Sequence, residues 1–302
     1  MASVKNLTAS VRDRLFAQAK KNGRPFNELL QYYAMERFLY RLAKSKYAGR
    51  FILKGALMLQ VWQSPESRPT MDIDLLGITS NDEVKIAEQI REILSIEVEP
   101  DGLHFDATSI RAERITEDAE YQGLRVRFRG SLGTAKINMQ LDIGFGDVVF
   151  PEPELSKYPT ILDFPAPQLL CYSRQSAIAE KLEAMVKLGE LNSRMKDFYD
   201  IWMLARQFDF DSVSLVEAIR KTFNRRQTDL PVSVAALSKE FAVAKQAEWN
   251  AFRKRLRYDY VPTAFDDVLR VLRIFLEPLI ATIRSEGTRF SKWTAGGSWR
   301  DI

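Results

Sequence analysis

The sequence predicts a sheet unit of α+β or α/β type, flanked by helices and followed by a mostly helical half, and three observations predict it. The first is a change of hydrophobic period. Apolar residues recur at helical spacing up to about residue 50, at strand spacing between Lys54 and Phe150, and at helical spacing again from Ser173 to about Arg284. The second is the proline series Pro151, Pro153, Pro159, Pro165 and Pro167, which reads as a linker because each proline fixes φ and removes a backbone donor. The third is length: 302 residues are about two domains at ~150 residues each. The division expected is 1–165 and 166–302.

The elements follow in order. Val11, Leu15 and Ala19 lie four residues apart, and after a break at Asn22-Gly23 the pattern resumes through Leu29, Leu30, Tyr33, Phe38, Leu39 and Leu42, so two or three amphipathic helices precede Phe51. Strands are expected over 70–76, 106–115, 123–129 and 135–145, with a helix over 83–94 between the first two. Leu124-Arg125-Val126-Arg127-Phe128 alternates as a half-buried strand does. The long helical half breaks near Thr228 to Pro231, and Gly287 to Ile302 reads as loop.

Composition narrows the chemistry. Apolar residues make up 46% and charged residues 28%, the proportions of an ordinary globular domain. The chain holds one histidine, His104, and one cysteine, Cys171, which excludes disulfides and His/Cys metal clusters and leaves carboxylates and lysines to do any catalysis. His104 reads as a surface or strand-edge residue and Cys171 as a buried one. No secretory signal is visible in the first fifteen residues, and the longest apolar run, Phe51 to Trp62, is interrupted by Lys54 and too short to span a bilayer. A cytoplasmic protein with no membrane partner is expected.

The sharpest local feature is Thr70-Met71-Asp72-Ile73-Asp74-Leu75-Leu76. On a strand, Asp72 and Asp74 share one face while Ile73 and Leu75 enter the core. Two adjacent carboxylates repel unless a cation lies between them, and a hard ion such as Mg²⁺ suits oxygen ligands. Taken alone, the pair also fits two solvent-facing aspartates at a strand end. A second strand, Ile137 to Ile143, carries Asp142 between Leu141 and Ile143. Paired beside the first, it would supply a third carboxylate, and three such groups can hold metal ions that clamp a triphosphate. Upstream, Gly55-Ala56 begins an apolar helix, where backbone donors face a phosphate.

A glycine at a helix start, then Asp-x-Asp, then a lone Asp on a later strand resembles the polymerase-β-like nucleotidyltransferase fold, a sheet flanked by helices. The run Phe51-Ile52-Leu53-Lys54-Gly55-Ala56-Leu57, Arg68, Thr70 to Leu75 and Leu141-Asp142-Ile143-Gly144-Phe145-Gly146-Asp147 resembles the AbiEii family of nucleotidyltransferase toxins. Glu180-Lys181-Leu182-Glu183-Ala184 and Arg194-Met195-Lys196-Asp197-Phe198-Tyr199-Asp200 match the family's later lysine and aspartate motifs. The match covers about Val11 to Leu204. It departs at Ala56, where such enzymes usually carry glycine or serine, so no serine hydroxyl meets phosphate there.

The resemblance implies Mg²⁺ as cofactor on Asp72, Asp74 and Asp142, and an NTP as co-substrate. It implies that Lys181 contacts nucleotide phosphate and that Asp197 or Asp200 completes the active site or orients that lysine. Gly55, Ala56 and Thr70 belong to the nucleotide-binding set, with Arg68 and Lys187 as further phosphate candidates. Read without the family, Lys181 and the Lys196/Asp197/Asp200 group also fit surface ion pairs at i,i+3 and i,i+4. Asp147 reads as a turn residue. A cognate antitoxin, often a DNA-binding repressor, and an RNA acceptor, the 3′ end of a transfer RNA, are the partners implied.

Charge distribution supports a polyanionic partner. The net charge is +4, yet residues 166–302 hold 22 Lys and Arg against 17 Asp and Glu, while residues 1–165 hold 22 against 23. Arg220, Lys221, Arg225 and Arg226 form one basic cluster; Arg253, Lys254, Arg255 and Arg257, interleaved with Trp249, Phe252, Tyr258 and Tyr260, form another. Cations beside aromatics suit RNA, although Trp249 and Phe252 could equally be a helix's buried face. Two other readings remain open on sequence: transfer to a protein or small-molecule hydroxyl, and a non-catalytic nucleotide-sensing module.

Overall fold

The computed structural model describes residues 6–64, 68–118, 121–256, 258–285, 287 and 291–301. Arg257 of the second basic cluster lies outside them. The chain forms two units, Met1–Gly146 with Glu154–Cys171, and Asp147–Pro153 with Tyr172–Ile302.

The first unit runs α1 (Leu7–Lys21), α2 (Phe26–Lys44), β1 (Phe51–Lys54), α3 (Met58–Val61), β2 (Ile73–Gly77), α4 (Glu83–Leu94), β3 (Leu103–Asp118), β4 (Tyr121–Leu132), β5 (Ala135–Phe145), β6 (Glu154–Lys157) and β7 (Gln168–Cys171). The strands form one mixed seven-stranded sheet in the order β3-β4-β5-β2-β1-β7-β6. β3, β4 and β5 make an antiparallel meander, whereas β2 pairs parallel with β5 and antiparallel with β1. Alternation decides the faces. Leu124, Val126 and Phe128 of β4 and Ile137, Met139, Leu141 and Ile143 of β5 are buried, so the intervening polar residues share the opposite face. α4 covers the sheet with Ile86, Ile90, Ile93 and Leu94, and Asp82 caps it by accepting the Lys85 amide at 2.9 Å.

Two parts of this unit differ from the sequence expectation. α2 is not amphipathic: Leu29 through Leu42 are buried all round, including Gln31, Glu36, Arg37 and Arg41. Its polar side chains are tolerated because each is partnered. Arg41 forks onto Asp101 at 2.7 and 3.2 Å. Arg37 reaches Glu36 at 2.9 Å and donates to the Pro165 carbonyl at 2.7 Å, while Glu36 accepts the Ile161 amide at 2.7 Å. The proline series is no linker either. Pro151 and Pro153, in the 147–153 stretch of the second unit, precede β6, and Pro159, Pro165 and Pro167 lie between β6 and β7, which extend the sheet beyond β1; the Pro167 carbonyl accepts the Tyr158 amide at 2.9 Å. Edge and strand-flanking positions are where a missing amide costs least.

The second unit contains α5 (Arg174–Leu188), α6 (Met195–Gln207), β8 (Phe210–Asp211), α7 (Ser212–Arg226), α8 (Lys239–Ala244), α9 (Gln246–Arg253), α10 (Phe265–Arg284), β9 (Ser291–Trp293) and β10 (Trp299–Asp301). Ser173 and Asp211 cap α5 and α7 by accepting the amides of Ser176 and Ser214. The C-terminal stretch expected to be loop supplies β9 and β10, which join β8 in a small sheet. Trp293 drives this, buried with its ring edge-on to Phe275 and its indole N–H donating to the Ala205 carbonyl at 2.7 Å. Among the described residues no helix is long and apolar enough to cross a membrane.

The α2 ion pair yields a pH prediction. Burial, partly opposed by Arg37, raises the Glu36 carboxyl to about 7. The folded chain therefore holds a proton that the unfolded chain has lost, and stability falls as pH climbs through that window. Urea denaturation between pH 5 and 8 should show a loss of up to about 3 kcal/mol with rising pH that Glu36→Gln flattens. An unchanged slope in the variant would exclude Glu36 as its source.

Candidate active site

Strand register builds the first part of the site. β2 and β5 pair Asp74 with Asp142, β1 sets Lys54 opposite Asp74, and β4 sets Arg125 opposite Asp142. Four neighbouring strands thus carry one row of charges, Arg125, Asp142, Asp74 and Lys54. Like charges directly opposed in a sheet are unfavourable, and here each end of the acidic pair is flanked by a cation. Arg125 grips Asp142 through two parallel hydrogen bonds, Nε to Oδ1 and Nη2 to Oδ2, both 2.7 Å. That contact, the Asp142 charge and the more distant charge of Asp72 raise the Arg125 pKa against the cost of burial. Ile73 and Leu75 are buried as the alternation requires, leaving Asp72 and Asp74 on the other face. Asp72 precedes β2 and accepts the Thr70 hydroxyl at 2.5 Å.

Gly55 follows directly after β1 with φ +71° and begins a 3-10 turn, Gly55–Leu57, that leads into α3. A Cβ on Gly55 would stand 1.9 Å from Asp74 Oδ2, so glycine is required here both by its backbone and by the closeness of the carboxylate. Ala56 is buried. The apolar helix expected after the glycine is short, a turn of 3-10 and four residues of α3. Arg68 is half-buried in the segment before Thr70.

A groove of about 670 Å³ adjoins Asp72 on the outer face of β3, β4 and β5 and is lined by Ser109, Arg111, Arg127, Arg129 and Gln140 among others.

The second unit holds its own ionic group. Lys181 on α5 lies between two carboxylates of α6, 3.0 Å from Asp197 Oδ1 and 3.1 Å from Asp200 Oδ2, and Arg194 meets Asp197 Oδ2 at 2.8 Å. Burial works to raise the Asp197 carboxyl, but Lys181, Arg194 and Lys196 outweigh it and hold it below the usual range. Lys196 itself is exposed, so the i,i+4 pairing that its spacing allows is not what engages Asp200. Lys187 is exposed in the last turn of α5, six residues and about 240° around the helix from Lys181. Asp147, read as a turn residue, accepts Arg226 Nε at 3.0 Å.

The first basic cluster is partly interior. Arg226 is ion-paired with Asp147, Glu180 and Glu183, and Lys221 and Arg220 each meet Glu217. In the second cluster the buried-face alternative holds: Trp249 is buried and stacked on Phe265, and Arg253 donates to the Val261 carbonyl at 3.0 Å. His104 is exposed on β3. Cys171 is buried, and burial pushes its thiol up to about 12. Sequence reasoning missed Arg125, because nothing local marks a cation whose partner lies on another strand, and Arg194, although its i,i+3 spacing to Asp197 is a local signal that could have found it.

A mixed sheet that sets an Asp-x-Asp strand beside a second acidic strand, with a glycine turn packed on the carboxylate, is the frame of a nucleotidyltransferase. The sequence profile described as nucleotidyl transferase AbiEii toxin, type IV TA system, matches residues 37–271. The chain belongs to this AbiEii family of nucleotidyltransferase toxins, whose type IV toxin-antitoxin systems imply an antitoxin partner. No curated protein matches the chain. Among solved structures, MenT4, a nucleotidyltransferase toxin from Mycobacterium tuberculosis H37Rv, is similar over 91% of this chain and 98% of its own, with 15% identity and a TM-score of 0.46. JHP933 from Helicobacter pylori is similar over 83% of this chain and 90% of its own, with 12% identity and a TM-score of 0.43.

Nucleotidyltransferases of this superfamily generally use a divalent metal. Among the described residues no three His, Cys, Asp or Glu side chains close on one point. The donor chemistry nonetheless fits a hard cation, since Asp74 and Asp142 are adjacent carboxylates on one sheet face with Asp72 on the same side of β2.

Gly55→Ala should destabilise the fold by about 1–3 kcal/mol in urea denaturation, because the new methyl must displace Asp74 and hold a left-handed backbone. Wild-type stability in that variant would show that Asp74 can move away freely.

Proposed function

We propose that the chain transfers a nucleotide from an NTP to an RNA hydroxyl, the 3′ end of a transfer RNA, in the cytoplasm, and that this transfer inhibits growth until a cognate antitoxin, itself a DNA-binding repressor, relieves it. The observation that carries the reading is the juxtaposition of Asp74 and Asp142 on adjacent parallel strands with Gly55 packed against Asp74.

Asp72, Asp74 and Asp142 would hold Mg²⁺, which supplies charge neutralisation for the phosphates when bound. The backbone at Gly55 lies against the NTP phosphates, where a side chain would block their approach, and Ala56, Thr70 and Arg68 complete that cradle. Lys181, fixed between Asp197 and Asp200, is the lysine that meets phosphate, and the two aspartates orient it; Lys187 offers a more exposed cation. The acceptor hydroxyl attacks the α-phosphorus, an O–P bond forms, the α–β bridge breaks and pyrophosphate leaves. Asp142 takes the hydroxyl proton, with its carboxylate aimed by the two hydrogen bonds from Arg125.

Incubation with each α-³²P-labelled NTP, extracted RNA and Mg²⁺ should label RNA and release pyrophosphate. Asp74→Asn should lower the rate about a thousandfold or more while leaving the urea midpoint near that of wild type, because the carboxylate contributes several kcal/mol to the transition state. Full activity in that variant would refute the mechanism, and label entering only protein would refute the RNA acceptor.

A further inference from the structure

The outer face of β3, β4 and β5 carries four arginines, Arg111, Arg125, Arg127 and Arg129, set against Asp106, Glu113 and Asp142. Arg125, Arg127 and Arg129 occupy alternate positions of β4 and so follow one another on one face, each about 6.6–6.8 Å beyond the last. Arg125 is engaged with Asp142. Arg127 and Arg129, with Arg111 of β3, line the groove that begins at Asp72. Arg111 and Arg127 are direct cross-strand partners, a like-charge pairing that works against the sheet. Arg111 donates to the Ile110 carbonyl at 2.9 Å, and the other two arginines are paired at the surface. Arg127 meets Glu113 at 2.6 Å and Gln140 at 3.2 Å, and Arg129 meets Asp106 at 3.3 Å, but the two guanidinium side chains are 50% and 69% exposed. Surface pairs of this kind contribute little to stability and exchange readily for a phosphate.

Position in the sheet says which substrate the groove serves. Gly55 packs on Asp74 from the β1 side, whereas β4 and β3 lie on the β5 side of the same carboxylates. An in-line displacement needs the attacking and leaving oxygens on opposite sides of the phosphorus, so a donor cradled at Gly55 leaves the β5 side for the acceptor. The shape agrees, because a row of cations leading away from Asp142 follows a polymer's backbone better than it encloses one nucleotide. Met71, 57% exposed at the groove, adds an apolar surface beside Asp72, and exposed Asn138 offers an amide to base edges.

We propose that Arg111, Arg127 and Arg129 form the acceptor track, binding the single-stranded end of an RNA by its phosphates and bases so that its terminal hydroxyl reaches Asp142. This rests on the RNA-transfer reading above and shifts the acceptor site from the basic clusters of the second unit to the sheet of the first.

The test pairs direct binding with turnover. A fluorescein-labelled single-stranded oligoribonucleotide is titrated by anisotropy against wild type, Arg127→Ala/Arg129→Ala and Arg127→Lys/Arg129→Lys, and KM is measured separately for NTP and RNA. Both positions are exposed, so folding should survive, and a urea melt checks it. The alanine pair should weaken binding at least tenfold, raise the RNA KM correspondingly, leave the NTP KM within twofold, and reduce the salt slope of log K by about 1.4, two phosphate contacts at about 0.7 each. The lysine pair should recover part of the loss, since it restores charge without the planar fork. Unchanged RNA binding and RNA KM in the alanine pair, an equal rise in the NTP KM, or a wild type that binds no RNA would each overturn the track. Arginine-dependent RNA binding without nucleotide incorporation would sink the transfer reading and leave the track standing; incorporation indifferent to both arginines would do the reverse.

Discussion

The parallel pairing of β2 with β5 is the constraint on which the site depends. It sets Asp74 against Asp142, and the strands on either side complete the row with Lys54 and Arg125. A slip of β5 by one residue against β2 would turn Asp142 toward the core and Leu141 and Ile143 toward solvent. The buried faces of Ile73, Leu75, Leu141 and Ile143 therefore hold the chemistry in place as firmly as any polar contact does. The register also brings together charges that repel. Arg125 neutralises one end through a two-bond fork, and Gly55 gives Asp74 room at the other.

Buried ionic groups recur in both units, and each connects segments that are distant in sequence. Glu36, Arg37 and Arg41 of α2 reach Ile161, Pro165 and Asp101, so the helix anchors the proline-rich stretch and the turn before β3. In the second unit, Lys181 gathers Asp197 and Asp200, and Arg226 gathers Asp147, Glu180 and Glu183. Removing one partner of such a group leaves the other buried without compensation, at a cost of about 3–5 kcal/mol. Lys181 is thus held between two carboxylates, 3.0 and 3.1 Å away. Buried pairing also explains where part of the C-terminal basic surplus goes, since Arg226 is committed to it.

Much of this was legible in the residues. The helix over Glu83–Leu94 and the strands carrying Asp74, Arg127 and Asp142 follow from period alone, because a half-buried element must repeat its apolar residues at its own geometric period. The family motifs around Gly55, Asp72 and Lys181 named the candidates. Three readings failed for a common reason. α2 looks amphipathic because Gln31, Glu36, Arg37 and Arg41 are polar, the proline series looks like a linker because prolines cannot donate, and the Trp-rich C-terminus looks like loop because it lacks a period. In each case a partner far along the chain supplied what the local sequence lacked: Asp101 and Ile161 for α2, β1 for β7, and Phe275 for Trp293.

By itself the sequence determined the chemistry available to this protein. With a single histidine and a single cysteine it left the work to carboxylates and cations, and it placed those carboxylates on strands beside core residues. Tertiary structure alone decided which of them meet. Register between strands, an Arg125 fork across a β-ladder and a lysine shared by two aspartates of another helix are contacts between distant segments, and local propensity carries no information about partners. For the same reason the cationic face of β3 and β4 emerged only when alternate residues of two strands were laid side by side.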